Sequence, residues 1–118
     1  MSDSILTSTK KALGLAASNT DFDDELIMHI NSVLATLNQL GVGPDAGLAI
    51  ADASSVWSDL IETDLLLNNV RSYVSLKVKQ LFDPPSTSFQ LNAIQDQVRE
   101  LEFRINLYYE TTVTVTTT

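Results

Sequence analysis

Two consecutive prolines, Pro84 and Pro85, interrupt two long stretches of helical periodicity, and this limits how the chain can fold more than any other feature. A proline locks its own φ, lacks the N–H that a helix interior needs, and pushes the residue before it out of the helical region. The two stretches therefore cannot merge into one rod. Upstream, Leu67, Val70, Val74, Val78 and Leu81 mark one face of a predicted helix, and Leu66, Tyr73, Leu76 and Phe82 widen it. Downstream, Leu91, Ile94, Val98, Leu101, Ile105 and Tyr108 recur at alternating steps of three and four, an apolar seam along a second helix. Phe82, Asp83, Pro84 and Pro85 form a rigid corner between the two. Thr63 or Asp64 can cap the first helix, and Ser86, Thr87 and Ser88 each offer a cap for the second. The stretch from Leu65 to Tyr108 thus reads as a helical hairpin. Its first member, apolar over so much of its circumference, belongs at the centre of a bundle or against another subunit.

The remaining segments supply partners for this hairpin. A first helix is predicted over Ser2 to Leu13, with Ser2 or Ser4 as cap, Ile5, Leu6, Ala12 and Leu13 as its apolar face, and Gly14 as its stop. A second starts after a cap at Thr20 or Asp21, carries Phe22, Leu26, Ile30, Val33, Leu37 and Leu40 on one side, and ends at Gly41. The glycines between Gly41 and Gly47 follow a helix and lack the Gly-Lys-Ser/Thr ending of a phosphate loop, so they read as a turn. Leu48 to Ala51 is expected to be briefly extended. Ser54 or Ser55 then caps a short helical turn with Val56, Trp57, Leu60 and Ile61, and Trp57 is expected to plug the core beneath this connection. The expectation is an all-α fold, a small four- to five-helix bundle over residues 1–109. Beyond it, 110–118 reads as an extended tail, because threonine and valine favour extended backbone and Val113 and Val115 alternate with period two.

Candidate chemistry is sparse. Asp21, Asp23, Asp24 and Glu25 enter an apolar helix and lack the turn glycine and closing glutamate of a calcium loop, so they read as first-turn complements to the helix dipole. His29 stands alone, with no second ligand at metal spacing, and is placed on a helix surface or interface. With one histidine and no cysteine, the sequence supplies no nucleophile and base to argue from, and the expectation is a protein that is not an enzyme and takes no cofactor or metal. Seven basic residues against fifteen acidic ones give a net charge of -8, the wrong sign for neutralising phosphates. Hydrophobic residues at 44% point to a folded domain, yet runs such as Leu65 to Leu67 are too short to cross a bilayer, so no membrane association is expected. The first residues carry no basic region before an apolar core, so an intracellular product is expected at synthesis.

At the hairpin the sequence resembles the head-tail connector (adaptor) proteins of long-tailed bacteriophages, often described as DNA-packaging proteins. The resemblance is carried by Gln39-Leu40-Gly41-Val42, by Trp57 followed by Asp59, and by Val70-Arg71-Ser72-Tyr73-Val74-Ser75-Leu76-Lys77. It continues in Leu81-Phe82-Asp83-Pro84-Pro85 and in Glu100-Leu101-Glu102-Phe103-Arg104-Ile105-Asn106. Many relatives have tryptophan where Phe103 stands, which removes any contact through an indole N–H. The resemblance implies a structural virion protein at the head-tail junction, built in the host cytoplasm. It also implies a homo-oligomeric ring, twelve-fold, that binds the portal protein, extends the DNA channel without specific DNA binding, and meets a tail-side completion or terminator protein during tail assembly. In that setting Tyr73, Leu76, Phe103 and Arg104 are candidates for the subunit interface. Tyr108, Tyr109, Thr111, Val113 and Val115 are candidates for portal binding through the tail. The competing reading is an acidic helical interaction module, antitoxin-like or regulator-like, with no place in a virion.

Overall fold

The computed structural model describes residues 3–61 and 64–117, without the side chains of 64, 65 and 110–117. Within them the chain forms five helices: α1 (Ile5–Ala12), α2 (Asp23–Gln39), α3 (Trp57–Leu60), α4 (Asp64–Phe82) and α5 (Ser88–Thr117). The all-α bundle expected from periodicity is the fold observed. Ser4 caps α1, its hydroxyl accepting from the Thr7 N–H at 3.2 Å; Ser2 and Thr63, named as caps above, lie outside the described residues. On α1 the buried face is Ile5, Leu6, Thr9 and Lys10, while Ala12, expected inside, is exposed.

Helix α2 starts differently from its expected cap. Phe22 occupies the N-cap position with no side-chain bond to the helix, and its ring instead packs edge-on against Phe82, with centroids 5.3 Å apart. Asp23, Asp24 and Glu25 fill the first turn, where they offset the dipole. Leu26, Ile30, Val33, Leu34 and Leu37 are buried below them. At the other end Gly41 takes φ +105°, a backbone that side-chain-bearing residues avoid, and Val42 turns back to donate to the Leu37 carbonyl at 2.9 Å.

The connection from α2 to α3 is pinned by side chains. The Asn31 amide donates to the Ile50 carbonyl at 3.0 Å and accepts from the Ile50 N–H at 2.7 Å, satisfying the backbone of a buried residue that has no ladder. Ser4 and Val56 form one isolated antiparallel bridge, which ties the chain before α1 to the chain before α3. Asp59, rather than Ser54 or Ser55, closes the start of α3 by accepting from the Val56 N–H at 3.0 Å.

Helix α4 lies between α2 and α5, with α1 alongside. The Phe22–Phe82 contact makes α2 antiparallel to α4, and the corner makes α5 antiparallel to it on another side. Leu66, Val70, Tyr73, Val74 and Val78 are the buried stripe of α4. Leu81, expected on that face, is half-exposed because it stands on the last turn, level with the start of α2 where the bundle's cover ends.

The extended tail is also corrected: α5 runs unbroken through Thr117. Threonine and valine disfavour helix by only about 0.7 kcal/mol each. Extending an existing helix adds a hydrogen bond per residue without a new nucleus, whereas a strand here has no neighbour to pair with.

Candidate functional site

The corner is built as its residues dictate. The Asp83 N–H donates to the Lys79 carbonyl at 2.8 Å as the last bond of α4, and the two prolines then carry the chain across. Of the three possible caps Thr87 is used, its hydroxyl accepting from the Gln90 N–H at 3.2 Å and its carbonyl from the Leu91 N–H at 3.0 Å. An open cleft of 630 Å³ lies in the elbow between Lys79, Pro84, Pro85 and Ile94, and Phe89 stands at its rim 84% exposed. Val98 and Ile105 of the expected seam are buried, while Leu91, Ile94, Leu101 and Tyr108 are half-buried along its edges.

Tyr73 fixes the register of the hairpin. Its ring is fully buried, and its hydroxyl donates to the Glu102 carboxylate at 2.7 Å. A side chain so enclosed is not a surface for a neighbour, so Tyr73 belongs to the subunit core rather than to an interface. Burial, and then the Glu102 carboxylate, push its ionisation well above the usual tyrosine value. Below about pH 10 both folded and unfolded chains keep this proton and the contribution is complete. As pH rises further, the unfolded chain releases the proton while the folded one holds it, so stability falls. Tyr73→Phe is expected to cost about 1 kcal/mol at neutral pH. It should also make the alkaline loss of stability shallower, as read by urea denaturation on either side of pH 10. Burial raises Tyr109 as well, with Tyr108 adding to it, so the decline is reduced rather than abolished.

Leu76 and Arg104 do come together. They line one open bay with Ser72 and Leu101, and Arg104 donates to Glu100 one turn back at 2.9 Å. Phe103, 65% exposed, does not line that bay. Trp57 is buried in the core as expected, at 1% exposure, though its ring lies against α1 and α4. Its Nε1–H donates to the Ser8 hydroxyl at 3.2 Å, and the Arg71 guanidinium lies over its ring at 5.5 Å. Tyr108 and Tyr109 stack edge to face at 5.2 Å, and the Tyr109 ring lies so close to Gly41 that a Cβ there would meet its Cγ at 3.0 Å. Gly41 therefore ends α2 and also admits the α5 tyrosine. The side chains of Thr111, Val113 and Val115 lie outside the described residues.

Sequence reasoning missed several positions. Lys10 is only 3% exposed; its ammonium donates to the Ala17 carbonyl at 3.0 Å and pairs with Asp23 at 2.9 Å. Met28, Phe89 and Leu107 are exposed apolar side chains whose signal was present, since each falls off its helix's buried seam. His29 sits partly covered on the α2 surface, 3.7 Å from Glu25.

What this fold offers is a set of exposed apolar and charged helix faces held at fixed angles, the equipment of an assembly protein. The chain belongs to the phage connector protein family, whose model matches residues 5–112. That makes it a structural connector of the phage particle. No curated protein and no solved structure matches it. Among the described residues no helix is long and apolar enough to cross a membrane.

Proposed function

We propose that the chain is the subunit of a closed ring, twelve-fold, that seats on the portal, prolongs the DNA channel and presents its other side to a tail-side completion or terminator protein. The observation that carries this reading is the family match along nearly the whole chain. Two features support it. The net charge of -8 suits a channel wall that DNA must pass without adhering. The second is the overhang of α5. With Tyr73 beside Glu102, antiparallel pairing sets the start of α4 at about residue 111 of α5, so the last six residues project roughly 9 Å past it. That projecting helix end, with Tyr108 and Tyr109 at its base, is the arm assigned to the portal.

Co-expression with the portal protein of the same phage, followed by particle imaging, tests the reading. Rings capping the portal are expected; a small stable complex with some other partner and bare portals would replace it with the interaction-module reading. Deleting Thr111 to Thr118 is expected to leave the thermal unfolding of the subunit within a few degrees of wild type. The same deletion should lower portal occupancy about tenfold, and unchanged occupancy would remove the arm from the contact.

A further inference from the structure

We infer that neighbouring copies join through one heterologous contact, in which the acid-flanked Met28 ridge of α2 seats in the groove between α1, α4 and α5 of the next copy. This rests on the ring reading and deepens it by naming the two faces.

The ridge is unusual for its exposure. Met28 is 62% exposed and stands on the side of α2 opposite Leu26, Ile30, Val33 and Leu37. Asp24 precedes it by one turn and Glu25 by three residues, both exposed, so a soft apolar knob has two carboxylates on its N-terminal side.

The groove, unlike the ridge, presents guanidiniums, each beside one carboxylate. Two open bays, of 360 and 320 Å³, meet at Ser72 and Leu76 of α4, one on the side of α1 and the other on the side of α5, and together they are the proposed trough. Its apolar floor is Leu76 and Leu101, with Trp57 at one end, and a guanidinium stands at each end: Arg71 over Trp57, and Arg104 on α5. Each is already paired, Arg71 with Asp3 at 3.5 Å and Arg104 with Glu100 at 2.9 Å, through a single Nη2. A guanidinium has five N–H donors, so both keep donors for a further carboxylate.

Charge decides which faces can meet. Residues 1 to 63 hold nine carboxylates and two lysines, whereas residues 64 to 118 hold six carboxylates and five basic side chains. One of those two lysines, Lys10, is already committed to Asp23. A symmetric α2-to-α2 contact would set Asp24 and Glu25 against their own copies, which opposes association. Ridge against trough brings carboxylates to guanidiniums instead. The buried face of α2 packs on α4, while the trough runs along Ser72 and Leu76 of α4, so ridge and trough lie on different sides of the subunit. One copy can use both at once, the condition for a head-to-tail contact that closes into a ring.

The test uses full-length protein assembled on its portal and counted as rings per portal, with subunit helicity checked for each variant. Arg104→Glu and the double variant D24R/E25R are each expected to reduce ring formation about tenfold, and their combination to recover most of the loss, since opposed charges are exchanged rather than removed. Met28→Leu should assemble normally and Met28→Lys should not. Wild-type rings whose number none of these variants changes would overturn the pairing and leave the ring standing. If wild-type protein forms no ring on the portal, the ring reading fails and this contact with it.

Discussion

Replacing Trp57 by alanine is expected to take about 3 to 5 kcal/mol from the stability of the subunit, the range for emptying a large aromatic from a closed core. Its ring is 1% exposed and lies at the junction of three separate segments. Ser8 of α1 accepts its indole N–H at 3.2 Å, Arg71 of α4 covers one face, and its backbone N–H donates to the Asp3 carbonyl at 3.1 Å. Removing the ring leaves a void where α1, α3 and α4 meet, together with an unpaired Ser8 hydroxyl and a guanidinium that has lost its platform. For a domain whose total stability is about 5 to 15 kcal/mol, that is about a fifth of the margin or more. Chemical denaturation should show a lower midpoint with an unchanged slope. Trp57→Phe keeps most of the apolar area and loses the hydrogen bond, so its cost should be about 1 to 2 kcal/mol. A Trp57→Ala midpoint within error of wild type would mean that the meeting of α1, α3 and α4 does not depend on the ring.

Periodicity carried the hairpin because both of its helices bury a stripe, and a stripe is a local property that spacing reveals. Val98 and Ile105 are buried where the three-and-four spacing put them, and the double proline ends α4 at Phe82. Trp57 was legible for a similar reason, being the largest apolar side chain in a segment too short to hide one elsewhere. The errors fall where non-local terms decide. Threonine and valine in the last residues point to strand, but the outcome depends on the long helix already formed before them and on the lack of a strand partner. Tyr73 looks like an aromatic available to a neighbour until α5 is laid over it with Glu102 in reach of its hydroxyl. Phe22 reads as part of the α2 seam, whereas its position is set by Phe82, far away in the chain. The candidate faces divide in the same way. Phe103 falls between the seam positions Leu101 and Ile105 and is exposed, as local spacing alone dictates, but the trough around Leu76 exists only because α1 and α5 flank α4.

Lys10 carries the other large effect. In sequence it is the first of two adjacent lysines at a helix end, an arrangement that ordinarily means two solvated charges complementing the dipole. In the fold Lys11 is exposed and Lys10 is enclosed. The Lys10 ammonium gathers the Ala17 carbonyl and the Asp23 carboxylate, so one side chain ties α1, the following turn and the first residue of α2 together. Lys10→Ala removes the apolar stem, the donor to Ala17 and the partner of Asp23 in one step. The expected loss is about 2 to 3 kcal/mol, below the full value for breaking a buried ion pair because Asp23 keeps a quarter of its surface in water. Lys10→Met restores the stem and separates packing from charge; it should recover about half of that loss. The decisive comparison is the double variant Lys10→Met with Asp23→Asn. If the ion pair matters beyond its stem, Asp23→Asn should cost less when combined with Lys10→Met than it does in wild type, with a coupling of about 1 kcal/mol. Additive losses would show that the lysine is buried for its methylenes and for the Ala17 carbonyl, and that α1 is held on the bundle by packing rather than by charge.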